Sequence, residues 1–217
     1  MKNLFQSGQK TLYRAEYEHD ACGVGVVANI KGIASHQIVK NGIEVLVNLA
    51  HRGAAGSDPE TGDGAGLLLQ IPDTLMRKEA SRLGFNLPGK GQYAIGVIFL
   101  PQDKKESELC VREIESALSD QELSILGWRD VPTNPSAIGR DARKSQPQIK
   151  HLFVTSTKNA IDEAQFERQL FISRKIMEIQ INELGLKEPE DFYVCSLSSK
   201  LIVYTVSYTH LTLPTKA

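Results

Sequence analysis

The chain has 217 residues, a net charge of −1, 41% hydrophobic and 24% charged residues, which fits a globular protein with its own core. The charge balance excludes the electrostatic footprint of a nucleic-acid or anionic-membrane binder. No apolar run approaches the roughly 20 residues that span a bilayer, and three widely spaced cysteines exclude a disulfide framework.

Residues 1–21 are polar and charged and lack the apolar stretch of a secretory signal; they read as an extended leader. A reducing, cytoplasmic setting follows from the cysteine usage. Next, Gly23 to Ala28, carrying Val24, Val26 and Val27, predicts a buried strand. Residues 36–50 place Ile38, Gly42, Val45, Leu46 and Leu49 at helical spacing, with Ser35 as N-cap. A loop rich in glycine and acidic residues follows from Gly53 to Gly66, then a short strand from Leu67 to Ile71 closed by Pro72.

A helix is predicted over 73–83, with a turn at Pro88-Gly89. Gln92 to Leu100 is the strongest strand pattern. Residues 104–119 read as an amphipathic helix with Cys110, Ile114, Ala117 and Leu118 on one face. Ile125 to Val131 and Ile149 to Thr155 read as strands, joined by a long irregular connection over 132–147. Residues 162–184 read as a helix with Phe166, Leu170, Ser173, Met177, Ile181 and Leu184 on one stripe. Phe192 to Leu197 and Leu201 to Tyr204 flank Ser198-Ser199-Lys200 and read as a β-hairpin. Strands in groups and helices in pairs favour layered antiparallel sheets and helices over a doubly wound parallel sheet.

Cys22 is the residue with most chemical promise. By itself it reads as a packing cysteine. If the chain is cut after Ala21, however, one residue carries both a thiol and a free α-amine, whose ordinary pKa is about 7.7–8.0. Nucleophile and base then belong to one residue. Gly23 and Gly25 let a carbonyl substrate approach the backbone closely. In His51-Arg52-Gly53, Arg52 reads most simply as a cation near a helix C-terminus, and secondly as a holder of the loop that frames the nucleophile.

Thr61-Gly62-Asp63-Gly64-Ala65-Gly66 lacks the lysine of a phosphate loop and leads into a strand, so it reads as a tight turn. Asp58, Glu60 and Asp63 lack EF-hand spacing. The five histidines show no metal-ligand spacing, and His151, in a strand, reads as a core or edge residue. Cys110 and Cys195 read as packing residues, Trp128 as ordinary core. No metal site is expected.

Taken in order, Glu18-His19-Asp20-Ala21-Cys22-Gly23-Val24-Gly25, Leu49-Ala50-His51-Arg52-Gly53-Ala54 and Thr61-Gly62-Asp63-Gly64-Ala65-Gly66-Leu67 resemble the N-terminal class II glutamine amidotransferase domain of the glutamate synthases. The strand Gly91 to Leu100, Trp128-Arg129-Asp130-Val131-Pro132 and Phe192 to Lys200 extend the resemblance to Tyr204.

The resemblance implies an α+β fold, the N-terminal-nucleophile hydrolase four-layer αββα sandwich with antiparallel sheets, here incomplete at its C-terminal end. Residues 1–21 would be a propeptide, 22–204 the partial domain and 205–217 a non-native tail. Cys22 would be the catalytic nucleophile and base, with Arg52 and Gly23 supporting the active-site loop. The substrate would be L-glutamine, hydrolysed to glutamate and ammonia, and the ammonia would be channelled to 2-oxoglutarate. FMN and an iron–sulfur cluster would belong to other domains of the same polypeptide, with a small electron-transferring subunit as a further partner. The motifs His-x-Arg-[Tyr/Phe]-Ser-Thr-Asn and His-Asn-Gly-Glu, expected downstream for the oxyanion hole and the substrate carboxylate, are absent. The chain by itself is therefore expected to be inactive. Two other readings remain: a class II amidotransferase serving a phosphoribosyl or sugar-phosphate acceptor, and a non-catalytic fragment.

Overall fold

The computed structural model describes residues 23–49, 62, 64–158, 161–188 and 191–206. In chain order the elements are α1 (His36–Asn48), β1 (Ala65–Gln70), α2 (Asp73–Arg82), β2 (Tyr93–Leu100), α3 (Lys104–Ser119), β3 (Leu123–Asp130), α4 (Arg140–Lys144), β4 (Gln148–Ser156), α5 (Glu163–Glu183), β5 (Tyr193–Ser198) and β6 (Leu201–Val206). The fold is α+β, and the strand pairs among the described elements are antiparallel.

β2 shows why its long apolar run is so clear a strand signal. Ala94, Ile98 and Leu100 face one core cluster, while Tyr93, Ile95 and Val97 face another. A strand buried on both faces needs apolar residues at every position, not at alternate ones. It sits inside a four-stranded sheet of order β3-β4-β2-β5. Elements alternate along the chain more regularly than the predicted grouping of strands. The sheet is antiparallel all the same, because β4 inserts between β2 and β3, and β2 between β4 and β5. Each helical crossover therefore joins strands that are not neighbours, in two interleaved split β-α-β units.

The crossovers α3 and α5 cover one face of this sheet. Cys110, Ile114, Ala117 and Leu118 of α3 are buried there, as are Phe166, Leu170, Ser173, Met177 and Ile181 of α5. Each helix begins on an aspartate whose carboxylate accepts two backbone N–H groups: Asp103 from Lys105 and Glu106, Asp162 from Ala164 and Gln165. These caps satisfy donors the helix itself leaves open. Gly185, just past α5, takes a positive φ of 66°, the conformation that ends helices most cheaply.

The opposite face carries Tyr93, Ile95, Val97 and Phe153. It is covered by Met76 of α2, Ile202 of β6 and partly buried Leu69 and Tyr204. β1 and β6 form a separate two-stranded sheet, from Ala65↔Val206 to Gln70↔Leu201.

Three sequence expectations change. The stretch 192–204 is not a β-hairpin: β5 pairs with β2 while β6 pairs with β1. The chain crosses from one sheet to the other at Ser198-Ser199-Lys200. Local pattern is the same for a hairpin and a crossing; the difference lies in which distant edge each strand finds. Gly23 to Ala28 is neither a strand nor buried, with Val24 86% and Val26 87% exposed. Among the described residues it has no ladder partner, and extended backbone without one stays irregular. Finally, the connection over 132–147 is partly ordered, by a 3-10 turn at Pro135–Ala137 and by α4. Two bulges also interrupt the ladders, at Leu126 in β3 and Cys195 in β5.

Candidate active site

Gly23 lies against the C-terminal end of α1. A Cβ at Gly23 would fall 2.9 Å from Leu49 Cδ2, and one at Gly25 only 2.3 Å from Val45 Cγ1. Such distances are inside van der Waals contact, so a side chain at Gly23 would displace the end of Leu49 and one at Gly25 a γ-methyl of Val45. What approaches these glycines is the flank of α1. Two stretches 26 residues apart in sequence, Gly23 and Leu49, thereby share one contact. Cys22 is one residue before it and Arg52 three residues after it. Cys22 and Arg52 themselves lie outside the described residues.

α1 ends at Asn48, with Leu49 as C-cap and no basic residue in its last turn. Ser35 occupies the N-cap position in extended backbone, but its side chain makes no capping bond. Asn41-Gly42 lies within α1, and Gly42 packs toward Leu67 of β1. The glycine-rich loop leads directly into β1, whose first residues are held by the end of β6.

Of the other two cysteines, Cys110 is unsuited to nucleophilic work. Cys110 is fully buried among α3, α5 and the four-stranded sheet, and burial pushes its thiol up to about 11. The thiolate is the reactive form, so Cys110 is a packing residue. Cys195 is half-buried at the β5 bulge and packs on the opposite face of that sheet. Two shallow surface grooves, about 590 Å³ beside Trp128 and Lys150 and about 390 Å³ beside Thr133 and Gln146, contain no cysteine.

One polar cluster has almost no signature in the sequence. Arg129 of β3 pairs with Glu79 of α2 at 2.9 Å, both side chains mostly buried. Arg129 also lies 3.5 Å from His151 Nδ1. His151 is wholly buried; its Nε2 has no hydrogen-bond partner among the described residues, and its ring packs at 5.8 Å from that of Tyr204. Burial first, then the neighbouring guanidinium, push the imidazole down to about 4. The same burial pushes the Tyr204 phenol up to about 12. The Glu79 carboxyl is held below its usual range, chiefly by Arg129 and Arg82. His151 is thus a neutral core histidine between the sheets, one of the two readings its strand position allows. A charged residue inside Trp128-Arg129-Asp130 is the only sequence signal for its partner. Among the described residues, no three His, Cys, Asp or Glu side chains gather as a metal-binding set, and no helix is long and apolar enough to cross a membrane.

The model of the class-II glutamine amidotransferases matches residues 22–215. Similar curated proteins include the glutamate synthase [NADPH] large chain of Bacillus subtilis (strain 168), 45% identical over 193 residues. That match covers 89% of this chain and 12% of the relative. The ferredoxin-dependent glutamate synthase 2 of Synechocystis sp. is 35% identical, covering 86% and 12% respectively. The glutamate synthase [NADH] of Saccharomyces cerevisiae is 39% identical, covering 90% and 9%. The chain therefore spans about a tenth of the length of these relatives.

Proposed function

The chain belongs to the class-II glutamine amidotransferase family, and from that premise we propose that it is the glutaminase part of a glutamate synthase. The observation that carries this reading is that the family match starts at Cys22. The burial of Cys110 supports the same residue, since it removes a competing thiol.

In this reading residues 1–21 are removed and Cys22 becomes the N-terminus. Its thiolate attacks the side-chain carbonyl carbon of L-glutamine and forms a C–S bond. The tetrahedral intermediate collapses, the C–N bond breaks, and the α-amine of Cys22 returns the proton to the departing ammonia. Water then attacks the γ-glutamyl thioester, releasing glutamate and restoring the thiol. Arg52 holds the loop that frames the nucleophile. The contact of Gly23 with Leu49 supports this, because it draws the chain leading to Arg52 toward the chain leading to Cys22. Gly23 serves by having no side chain to obstruct that approach.

The fold reading is that the described layers belong to a four-layer αββα sandwich. It is supported by helices on one face of the four-stranded sheet and by the β1–β6 pair on the other. The outer face of β1–β6 is the layer least covered, with Leu68 65% exposed. FMN and an iron–sulfur cluster belong, in this reading, to other parts of a longer polypeptide. An iron–sulfur cluster is held by several cysteine thiolates, whereas Cys110 and Cys195 pack on opposite faces of one sheet. The ammonia passes to 2-oxoglutarate bound elsewhere in that polypeptide, in a cytoplasmic setting.

The test is made on the full-length polypeptide. Intact-mass analysis is expected to find Cys22 at the N-terminus of active enzyme, and Cys22→Ala is expected to abolish ammonia release from glutamine. A retained leader on active enzyme would refute the reading. The 217 residues alone are expected to release no ammonia.

A further inference from the structure

The crossing between the two sheets is tied down more densely than its length requires. Ser199 N donates to Glu167 Oε1 at 2.6 Å, and Ser199 Oγ donates to the same oxygen at 2.6 Å. Ser198 Oγ donates to the Glu167 carboxylate at 3.1 Å and accepts from Lys200 N at 3.0 Å and Leu201 N at 3.3 Å. Lys200 pairs with Glu163 at 2.6 Å, and its carbonyl accepts from Ile71 N at 3.0 Å, just past the end of β1. One turn further, Val203 N of β6 donates to Ser196 Oγ of β5 at 3.3 Å.

A carboxylate gripping backbone N–H and hydroxyl groups makes the stronger, charge-assisted kind of hydrogen bond. Ser199 is also mostly buried, so these bonds compete little with water. Their position matters more than their number. β5 is an edge strand of the four-stranded sheet, and β6 is the only described partner of β1. A slip of one residue at the crossing would move β6 against β1 and turn Ile202 out of the core. It would also shift the end of β1 that leads back into the glycine-rich loop.

We infer that Glu167 is a positioning residue. From the helix layer it sets where the chain leaves one sheet and enters the other, and so fixes the register in which β6 holds the strand behind the glycine-rich loop. Its consequence for glutamine turnover rests on the function proposed above; the register itself does not, and its test involves neither Cys22 nor activity.

Residue-resolved hydrogen exchange of the whole chain separates the two sheets. Glu167→Ala is expected to speed exchange of the β1 and β6 amides by at least about tenfold while leaving Ile95–Leu100 of β2 unchanged, as local opening does. Glu167→Gln is expected to restore most of the protection, because its amide oxygen still accepts from Ser199. Glu163→Ala removes only the exposed pair with Lys200 and is expected to leave β6 as it was. Equal acceleration in β2 and β6, or none in β6, would overturn the inference. Should Glu167→Ala fail to fold, Ser199→Ala deletes a single hydroxyl, and the same selective pattern at smaller amplitude must appear; its absence counts against the inference equally.

Discussion

The helix-covered half of the molecule and the half that leads to Cys22 are built differently. In the first, Ile98, Leu100, Cys110, Ile114, Phe166, Leu170 and Met177 are completely buried, and both helices start on side-chain caps. In the second, α1 has no buried residue and no side-chain cap bond, and Val24, Val26, Ile30 and Leu68 are exposed. Of Leu201, Ile202, Val203 and Tyr204 in β6, only Ile202 is fixed fully in the core. The scaffold thus stands on its own packing, while, among the described residues, the segments next to Cys22 and Arg52 in the chain are held by a few contacts to it. Functional loops are commonly drawn from the less stable parts of a fold. Here the contrast has named causes among the described residues: a helix without a side-chain cap bond, a segment without a ladder partner, and a two-stranded sheet with one open face.

The largest expected effect tests this contrast directly. Phe166→Ala empties a fully buried aromatic site and is expected to cost about 3–5 kcal/mol, whereas Leu46→Ala, on half-buried α1, costs about 1 kcal/mol or less. Denaturant unfolding of the two variants measures both; similar losses would erase the distinction between the halves.

The interface between the halves should be sensitive to acid. The folded imidazole of His151 lies at about 4, against an ordinary 6.5. Between these values the unfolded chain binds a proton that the folded chain refuses, so stability falls as pH falls. From pH 7.5 to 5 the loss is about 2 kcal/mol by linkage. The charged groups facing His151 are Arg129 from β3 and Glu79 from α2, with Tyr204 packed against it from β6. Glu79, whose folded carboxyl is depressed, adds a loss of the same sign at lower pH. Denaturant midpoints at the two pH values should differ less in His151→Phe than in the native chain, and an unchanged difference would assign the slope to other groups.

The smallest contrast concerns the caps. Asp162→Ala removes two capping bonds and should cost about 1 kcal/mol, while Ser35→Ala, which removes none, should change thermal stability within a few tenths of a kcal/mol. A cost at Ser35 equal to that at Asp162 would mean that α1 is capped as firmly as α5.

Much of the scaffold is legible in the amino-acid sequence. The helix over 104–119 and the stripe from Phe166 to Ile181 follow from spacing alone, because one helical face meets one sheet. β2 is legible because a strand buried on both faces is apolar throughout. The partners are not legible. Arg129 and His151 are 22 residues apart, and Glu167 meets Ser199 across 32; nothing in either local pattern announces the meeting. The valines at 24 and 26 mislead for a related reason, since apolar alternation states what a strand would bury, not whether an edge is available. At the candidate site, the motif residues Cys22 and Arg52 stand out in the sequence, while the contact that draws their neighbours together, Gly23 on Leu49, is a product of the fold.

By itself the sequence determined the chemistry on offer, a cysteine whose α-amine one cleavage would free, and the family in which that arrangement belongs. It also determined most elements and the faces they bury, because side-chain periodicity is a local property of backbone geometry. Only the tertiary structure decided that β5 and β6 part company into two sheets, that His151 stays neutral beside a guanidinium, and that Glu167 grips the crossing. Strand pairing, burial and charge coupling depend on residues far away in the chain, and their energies exist only once those residues have been brought together.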